Sequence, residues 1–154
     1  MIVKLIPTTR KHCEYVANNI RAIDKEECIA TRGDVPLFNI ILEGYLSSAE
    51  CYTGVCGLEI VGIMGFRRES YKWVIPWLIA TENMNKHKTA FVRSTDFYFP
   101  VFKTRYPNMK NIIYEKNRAS VRWLKHLGFQ FSEPFTYGSK PERFMLFSMT
   151  NLKK

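Results

Sequence analysis

The sequence has 154 residues, of which 46% are hydrophobic and 24% charged, the size and composition of one globular domain. This composition excludes a disordered tail and a fibrous repeat, and every apolar run is far shorter than the roughly 20 residues that span a bilayer. The formal net charge is +9. Residues 1–50 carry six basic and seven acidic side chains, a net −1, whereas residues 51–154 carry seventeen and seven, a net +10.

This uneven charge leaves several kinds of partner open. A basic surface attracts nucleic acid, an acidic protein surface or a small ligand rich in phosphate, and it can also serve only to keep a protein in solution. Residues 1–12 lack the apolar run and the small-residue cleavage site of a secretion signal. We therefore expect a soluble protein of the cytoplasm, without a membrane span.

The four cysteines do not have the spacing of a metal site. Cys13, Cys28, Cys51 and Cys56 contain no CxxC pair, and the three histidines are scattered along the chain. Without a secretion signal, unpaired and mostly buried thiols are the simplest expectation. We predict no bound metal.

The first third of the chain predicts one strand and three helices. Residues 2–7 alternate in polarity and end in a proline, which is typical of a short strand. Apolar residues at helical spacing predict helices over 12–21, from about 24 to 33, and over 37–47.

The next segments change to β character. Residues 51–56 and 59–67 are rich in Val, Ile and Gly, with a tight turn predicted at Cys56-Gly57. Gly62 and Gly65 inside the second strand indicate a bulge or the close approach of a neighbouring backbone.

Residues 71–81 predict a central strand because they are apolar on both faces. Pro76 lies in the middle of this strand, where it cannot donate to a neighbouring strand. We therefore predict a bulge at Pro76 that separates the strand from its next neighbour. Such a separation leaves unpaired backbone groups facing a crevice, where an extended ligand could form hydrogen bonds.

The remainder of the chain alternates helices and strands. A helix is predicted over 87–99, ended or kinked by Pro100, followed by a strand over 111–116. A short helix then begins at the N-cap Asn117 and closes at Gly128. Residues 129–137 and 142–149 predict a final hairpin, and the whole order predicts one α+β sheet with helices on both faces.

Residues 117–129, N-R-A-S-V-R-W-L-K-H-L-G-F, resemble the last motif of the GNAT acetyltransferase superfamily. Asn117, Ser120, Gly128 and Phe129 fall in register with that motif. The order of elements is similar over nearly the whole chain. The resemblance implies a single GNAT-like domain over 1–154, with a mixed, mostly antiparallel, twisted sheet of about seven strands.

The resemblance also implies an activity, the transfer of acetyl from acetyl-CoA to a primary amine whose identity the sequence does not give. The backbone of the central strand would pair with the pantetheine arm, the turn after it would hold the pyrophosphate, and Asn117 would bridge the arm. The cofactor-binding residues implied in this way are Trp77, Leu78, Ile79, Asn85, Lys86, His87, Lys88, Thr89, Asn117 and Ser120.

Two departures from the family pattern bear on the activity. The turn at 83–89 contains no glycine, whereas the family's phosphate loop uses glycines to admit the pyrophosphate to backbone amides. Leu124 occupies the position of a tyrosine that protonates the departing thiolate. Tyr114 is a possible substitute, although a strand aromatic is more often simply buried.

The transfer also requires a general base, which removes a proton from the amine so that the amine is neutral when it attacks. The central strand contains no acidic residue, so the candidates are Glu115, Glu82 and Glu59 in the neighbouring segments. We expect Glu115 first, because it ends the strand beside the predicted separation. Each of the three is otherwise an ordinary surface charge.

A narrower resemblance supports a second hypothesis. The run 101–150, an aromatic and basic stretch followed by Asn111-Ile112-Ile113 and the Asn117 helix, is similar to the short internal virion proteins of T7-like bacteriophages. This likeness implies a phage protein, located in the host cytoplasm or the virion, that has lost catalysis and binds a virion protein, a host protein or DNA. The aromatic and basic residues near Phe97 could stack on nucleic acid, but at near-helical spacing they are more typical of a core.

Overall fold

The computed structural model describes residues 1–138 and 140–151 of the chain. They form eight strands, five α-helices and one 3-10 turn, at Glu82–Lys86. The helices are α1 Arg10–Asn18, α2 Ala22–Arg32, α3 Leu37–Ser47, α4 Lys88–Arg105 and α5 Arg118–Leu127. The strands are β1 Lys4–Pro7, β2 Glu50–Cys56, β3 Glu59–Arg68, β4 Val74–Ala80, β5 Met109–Tyr114, β6 Gln130–Phe131, β7 Phe135–Tyr137 and β8 Glu142–Met149.

All the strands belong to one sheet. Its order is β1-β2-β3-β4-β5-β8-β6, and β7 pairs with β8 beyond this path. The only parallel neighbours among the described strands are β4 and β5, and the other pairs are antiparallel. The predicted α+β class, with a mixed and mostly antiparallel sheet of about seven strands, is therefore confirmed.

Helices cover both faces of the sheet, as predicted. On one face, α1 and α3 bury Cys13, Val16 and Ile41 against Ile63 of β3. On the other face, α4 and α5 pack against the centre of the sheet, and this cluster includes Phe102. Burying apolar surface on two sides stabilises a central strand such as β4 and explains its lack of polar alternation.

The turn and the close approach predicted around β3 are both present. Gly57 has φ +63°, the left-handed conformation that glycine adopts without strain in a tight turn. A Cβ at Gly62 would lie 2.7 Å from the carbonyl oxygen of Ile79, so the neighbouring backbone requires glycine there. At Gly65 the close neighbour is instead the indole of Trp77, which is 2.6 Å from the ideal Cβ position.

The prediction that Pro100 ends or kinks the fourth helix near residue 99 is wrong in its boundary, because α4 continues through Pro100 to Arg105. A proline inside a helix costs about 3 kcal/mol. Burial of the residues beyond the proline offsets this cost. Phe102 is buried, and its ring centroid lies 4.7 Å from that of Phe66. Tertiary packing therefore outweighs the local helix breaker.

Several strand boundaries also differ from the predictions. The central strand begins at Val74, not at residue 71, and the next strand covers Met109–Tyr114 instead of 111–116. The segment predicted as one strand over 129–137 is divided into β6 and β7, each of which pairs with β8. Pro134 lies in the interruption and has no amide to donate to a sheet.

The four cysteines are free thiols. Burial raises the pKa of Cys13 to about 11 and that of Cys28 to about 12, which keeps both thiols protonated and unreactive at neutral pH. Within residues 1–138 and 140–151, no helix has both the length and the apolar character needed to cross a lipid bilayer.

Candidate active site

The sheet opens between β4 and β5. These strands are neighbours, but their register contains a single pair, Val74 with Met109. Pro76 follows this pair by two residues, so the strands separate where the sequence predicted. The predicted bulge is not found in the pairing of β4 with β3, which runs without a shift from Val74 to Ala80. The missing amide of Pro76, and not a bulge, marks the beginning of the opening.

Alternate residues of β4 direct their backbone groups toward the opening. The carbonyl of Pro76 accepts a hydrogen bond from Asn111 Nδ2 at 2.8 Å. The amide of Ala80 donates to Asp24 Oδ2 at 2.6 Å, and the carbonyl of Ala80 accepts from the amide of Arg21 at 2.9 Å. By the alternation of a strand, the amide and carbonyl of Leu78 point the same way.

The facing edge of β5 is also capped by side chains. The amide of Ile112 donates to Asn111 Oδ1 at 2.7 Å, and the amide of Tyr114 donates to Glu27 Oε1 at 3.2 Å. The carbonyl of Tyr114 accepts from the amide of Asn117 at 3.0 Å. Among the described residues of the two edges, Leu78 therefore carries the one amide that faces the opening beyond the paired end without a partner.

A cavity of about 350 Å³ includes this opening and reaches both faces of the sheet. From the face of α2 and α3, Glu27, Arg32 and Gly44 line it. From the face of α4 and α5, Ser120 and Trp123 contribute. A ligand that passes through the opening can therefore contact groups on both sides of the sheet.

Glu27 is a carboxyl group of this cavity whose pKa is raised into the neutral range. Burial, followed by repulsion from the Asp24 carboxylate, raises the pKa of Glu27 to about 7. Hydrogen bonds from the Tyr114 amide and the Asn117 side chain, and the charge of Arg21, act in the opposite direction. A half-buried carboxylate that exchanges protons near pH 7 suits a general base.

A buried ion pair lies beside Glu27. Arg21 Nη2 donates to Asp24 Oδ1 at 2.8 Å, and the Asn117 side chain approaches the same oxygen at 3.5 Å. Arg21 Nη2 also lies 3.4 Å from the hydroxyl of Ser120. Asn117 caps α5 through a hydrogen bond from the Ser120 amide, as the sequence predicted. These contacts connect α2, the end of β4 and the start of α5.

Five of the predicted cofactor-binding residues line the cavity: Trp77, Leu78, Ile79, Asn117 and Ser120. Of these three β4 residues, only Leu78 directs its backbone groups to the opening. The amide of Val74 donates toward β5 and that of Thr81 toward β3, so alternation along the strand turns the backbone groups of Trp77 and Ile79 toward β3. The indole of Trp77 contributes instead through its ring and donates to Ser48 Oγ at 2.8 Å.

The predicted phosphate-binding segment forms the 3-10 turn and the first turn of α4. Asn85 and Lys86 lie in the turn, and Lys88 and Thr89 begin the helix. Lys86 Nζ and His87 Nε2 both contact Glu59, at 2.7 and 2.9 Å, so these side chains already have an acidic partner. The amides of the first helical turn have no partner within the helix, which is the usual property of a helix N-terminus.

None of the three predicted catalytic residues is among the described residues that line the cavity. Glu115 accepts from Arg143 Nε at 3.1 Å on the surface, and the exposed Glu82 begins the 3-10 turn. The hydroxyl of Tyr114 donates to Glu26 Oε1 at 3.1 Å.

Sequence reasoning missed Asp24, Glu27 and Arg21. A signal was present, since Asp24 stands four residues before the buried Cys28 and Glu27 stands three residues after Asp24. This spacing puts both carboxylates toward the buried side of a helix. Acidic residues on that side need donors from another element, which a single helix pattern does not identify.

No protein-family model and no curated protein matches the sequence. Solved structures match its fold. The ribosomal-protein α-N-acetyltransferase RimL, in complex with coenzyme A, aligns over 99% of this chain and 97% of its own, with a TM-score of 0.70 and 11% identity. Ard1 from Thermoplasma volcanium aligns over 99% and 100%, with a TM-score of 0.73 and 14% identity. An acetyltransferase of the GNAT family from Bacillus anthracis aligns over 97% and 98%, with a TM-score of 0.62 and 11% identity.

Proposed function

With a GNAT fold as the starting point, we propose that the protein transfers an acetyl group from acetyl-CoA to a primary amine. The observation that carries this proposal is the unpartnered amide of Leu78 inside the β4–β5 opening. An extended ligand with amide groups, such as a pantetheine arm, can accept from this amide and donate to the carbonyl of the same residue. RimL, which has a similar fold, was solved with coenzyme A.

The residues around the opening suit such a ligand in part. Leu78 would hold the arm, Ser120 and Trp123 border the cavity on the side of α4 and α5, and the N-terminus of α4 favours an anion through its free amides. The side chains of Lys86 and His87 fit less well, because binding a phosphate would compete with their contacts to Glu59. The roles predicted for Asn85, Lys88 and Thr89 stay predictions.

Acetyl-CoA supplies an activated acyl group, and the protein must supply a neutral amine. Amines of the lysine type are protonated at pH 7, so a base has to remove a proton before attack. We propose Glu27 for this role, because its carboxylate borders the cavity and its pKa is about 7. The catalytic roles of Glu115, Glu82 and Tyr114 stay predictions, and we favour Glu27 over them because it lines the cavity.

Binding of acetyl-CoA by isothermal titration calorimetry tests the proposal. We compare Leu78→Pro with the matched control Leu78→Ala. Both variants remove the leucine side chain, but only proline also removes the backbone N–H. The amide of Leu78 faces away from β3, and Pro76 already occupies an equivalent position two residues earlier. Loss of one hydrogen bond should weaken binding by Leu78→Pro about tenfold relative to Leu78→Ala.

Two outcomes would contradict the proposal at different levels. If the unaltered protein gives no binding heat at millimolar acetyl-CoA, the proposed acetyltransferase activity is refuted. Equal affinity of the proline and alanine variants, with binding intact, would refute the role of the Leu78 amide alone. Circular dichroism on both variants verifies that the sheet has formed.

A second candidate is a protein that retains the fold without catalysis. Leu124 in place of the motif's tyrosine and the glycine-free segment 83–89 favour it, and Arg93, Arg118 and Arg122 add exposed positive charge on α4 and α5. In this reading the chain is a bacteriophage protein that binds a virion protein or DNA. DNA binding that weakens steeply with salt, together with no binding of acetyl-CoA, would support it.

A further inference from the structure

The buried ion pair of Asp24 and Arg21 lies next to Glu27, and the proposed function described so far assigns no role to it. Asp24 is 6% exposed, and its carboxylate oxygens accept from the Ala80 amide and the Arg21 guanidinium. Burying a carboxylate is unfavourable unless donors surround it. A neutral residue at this position would avoid that penalty, so the charge itself calls for an explanation.

Asp24 and Glu27 together span the opening. They lie three residues apart on α2, which brings their Cβ atoms to about 5–6 Å of each other. Asp24 accepts a hydrogen bond from the amide of Ala80, which faces the opening from β4. Glu27 accepts one from the amide of Tyr114, which faces the opening from β5. The same helix face therefore contacts both separated strands, with one carboxylate on each.

We propose that Asp24 and Arg21 are positioning residues that set the basicity of Glu27, Asp24 by its negative charge and Arg21 by its positive charge. This inference rests on the proposed function, in which Glu27 is the base. The carboxylate of Asp24 disfavours a second negative charge one turn away, so Glu27 holds a proton more readily than an isolated glutamate. Arg21 limits this effect, because its guanidinium is paired with Asp24 and attracts Glu27 as well.

The other groups around Glu27 are neutral or have partners of their own, so we expect them to influence its protonation less than Asp24 and Arg21 do. The Cys28 thiol is neutral, because burial raises its pKa to about 12. Glu26 is bonded to the hydroxyl of Tyr114. Other charged groups near this face of α2 include Arg32 with its partner Glu43, and Lys116, which lies beside the ring of Tyr114 and pairs with Glu142.

Carbon-13 NMR of the Glu27 carboxyl during a pH titration tests the inference without an acceptor amine. The resonance is assigned by its loss in Glu27→Gln. Asp24→Asn keeps an oxygen for the Ala80 amide but removes the charge, so the midpoint of Glu27 should fall by about one pH unit. Arg21→Gln should move the midpoint upward, and Arg21→Lys, which retains the charge, should leave it nearly unchanged.

Opposite shifts from the two neutralising variants would support the inference, and unmoved or same-direction midpoints would overturn it. A merely structural role would alter stability without this pattern of signs. If Asp24→Asn fails to fold, the upward shift in Arg21→Gln and its absence in Arg21→Lys still decide. Calorimetry with acetyl-CoA is a separate measurement, so failure of the proposed function is distinguishable from failure of this inference.

Discussion

Replacement of Glu27 by glutamine should stabilise the protein, and by more as the pH rises. The pKa of Glu27 is about 7 in the folded protein, against an ordinary value of 4.5. Below pH 4.5 the carboxyl is protonated in both folded and unfolded chains, so the substitution has little effect. Between pH 4.5 and pH 7 the carboxyl ionises in the unfolded chain before it ionises in the folded protein, so the free energy of unfolding decreases. This decrease reaches its full size above pH 7.

The size of this effect follows from the two pKa values. At about 1.4 kcal/mol for each pH unit between them, Glu27 costs the folded state on the order of 3 kcal/mol at pH 8. Glutamine avoids the charge and keeps an oxygen that can accept from the amide of Tyr114. Urea unfolding of both proteins at pH 4 and pH 8 measures the difference. Glu14→Gln, on the exposed surface of α1, is the control and should change stability by less than about 0.5 kcal/mol.

A gain of stability at pH 8 that disappears at pH 4 is the expected result. An equal gain at both pH values would indicate better packing and not a perturbed charge. A loss of stability at pH 8 would refute the reasoning, because it would mean that the ionised carboxylate is favourable where it lies. A residue kept at a cost in stability is consistent with a functional site.

Three further predictions concern stability, and the first of them has a matched control variant. Gly62→Ala should cost about 2 kcal/mol in urea unfolding, because its Cβ would meet backbone 2.7 Å away. The control Gly54→Ala should cost less, because its two close contacts, at 3.0 and 3.1 Å, are side chains and its backbone contact is an ordinary 3.9 Å. Trp77→Phe should cost about 1–3 kcal/mol, because it removes the hydrogen bond to Ser48 and leaves space beside β3; an unchanged urea midpoint would contradict this contact. Thr9→Ala removes the oxygen that caps α1 and should cost about 1 kcal/mol, and no loss would show that the cap contributes little.

Local signals accounted for the features of the fold that the sequence predicted correctly. The α5 helix combines an N-cap at Asn117 with a left-handed residue at Gly128, and both ends were predicted from these residue types alone. Pro76 indicated the separation of β4 from its neighbour because a missing amide is a property of the residue itself. Features of this kind need no knowledge of the rest of the chain.

Features that depend on contacts between distant segments were not predictable in the same way. Pro100 remains inside α4 because Phe102 packs on Phe66, a contact across 36 positions that no helix pattern contains. Glu27 accepts a hydrogen bond from an amide of β5, 87 positions away, a contact that no helix pattern contains. The sequence indicated where an opening would form but not which side chains would surround it, so Glu27 of α2 was not among the candidates for a base that the strand ends supplied.

The opening is not a simple packing defect, because side chains satisfy most of the backbone groups that it exposes. A buried amide without a partner costs about 1–3 kcal/mol, so two separated strand edges would be expensive if left bare. Asp24 and Glu27 each take one amide, Asn111 takes one amide and one carbonyl, and Pro76 has no amide to satisfy. Against this background the free amide of Leu78 stands out, since the same arrangement could have capped it too. The other described amides that face the opening beyond its paired end have side-chain partners, so the open donor of Leu78 supports the proposal of a ligand that accepts from it.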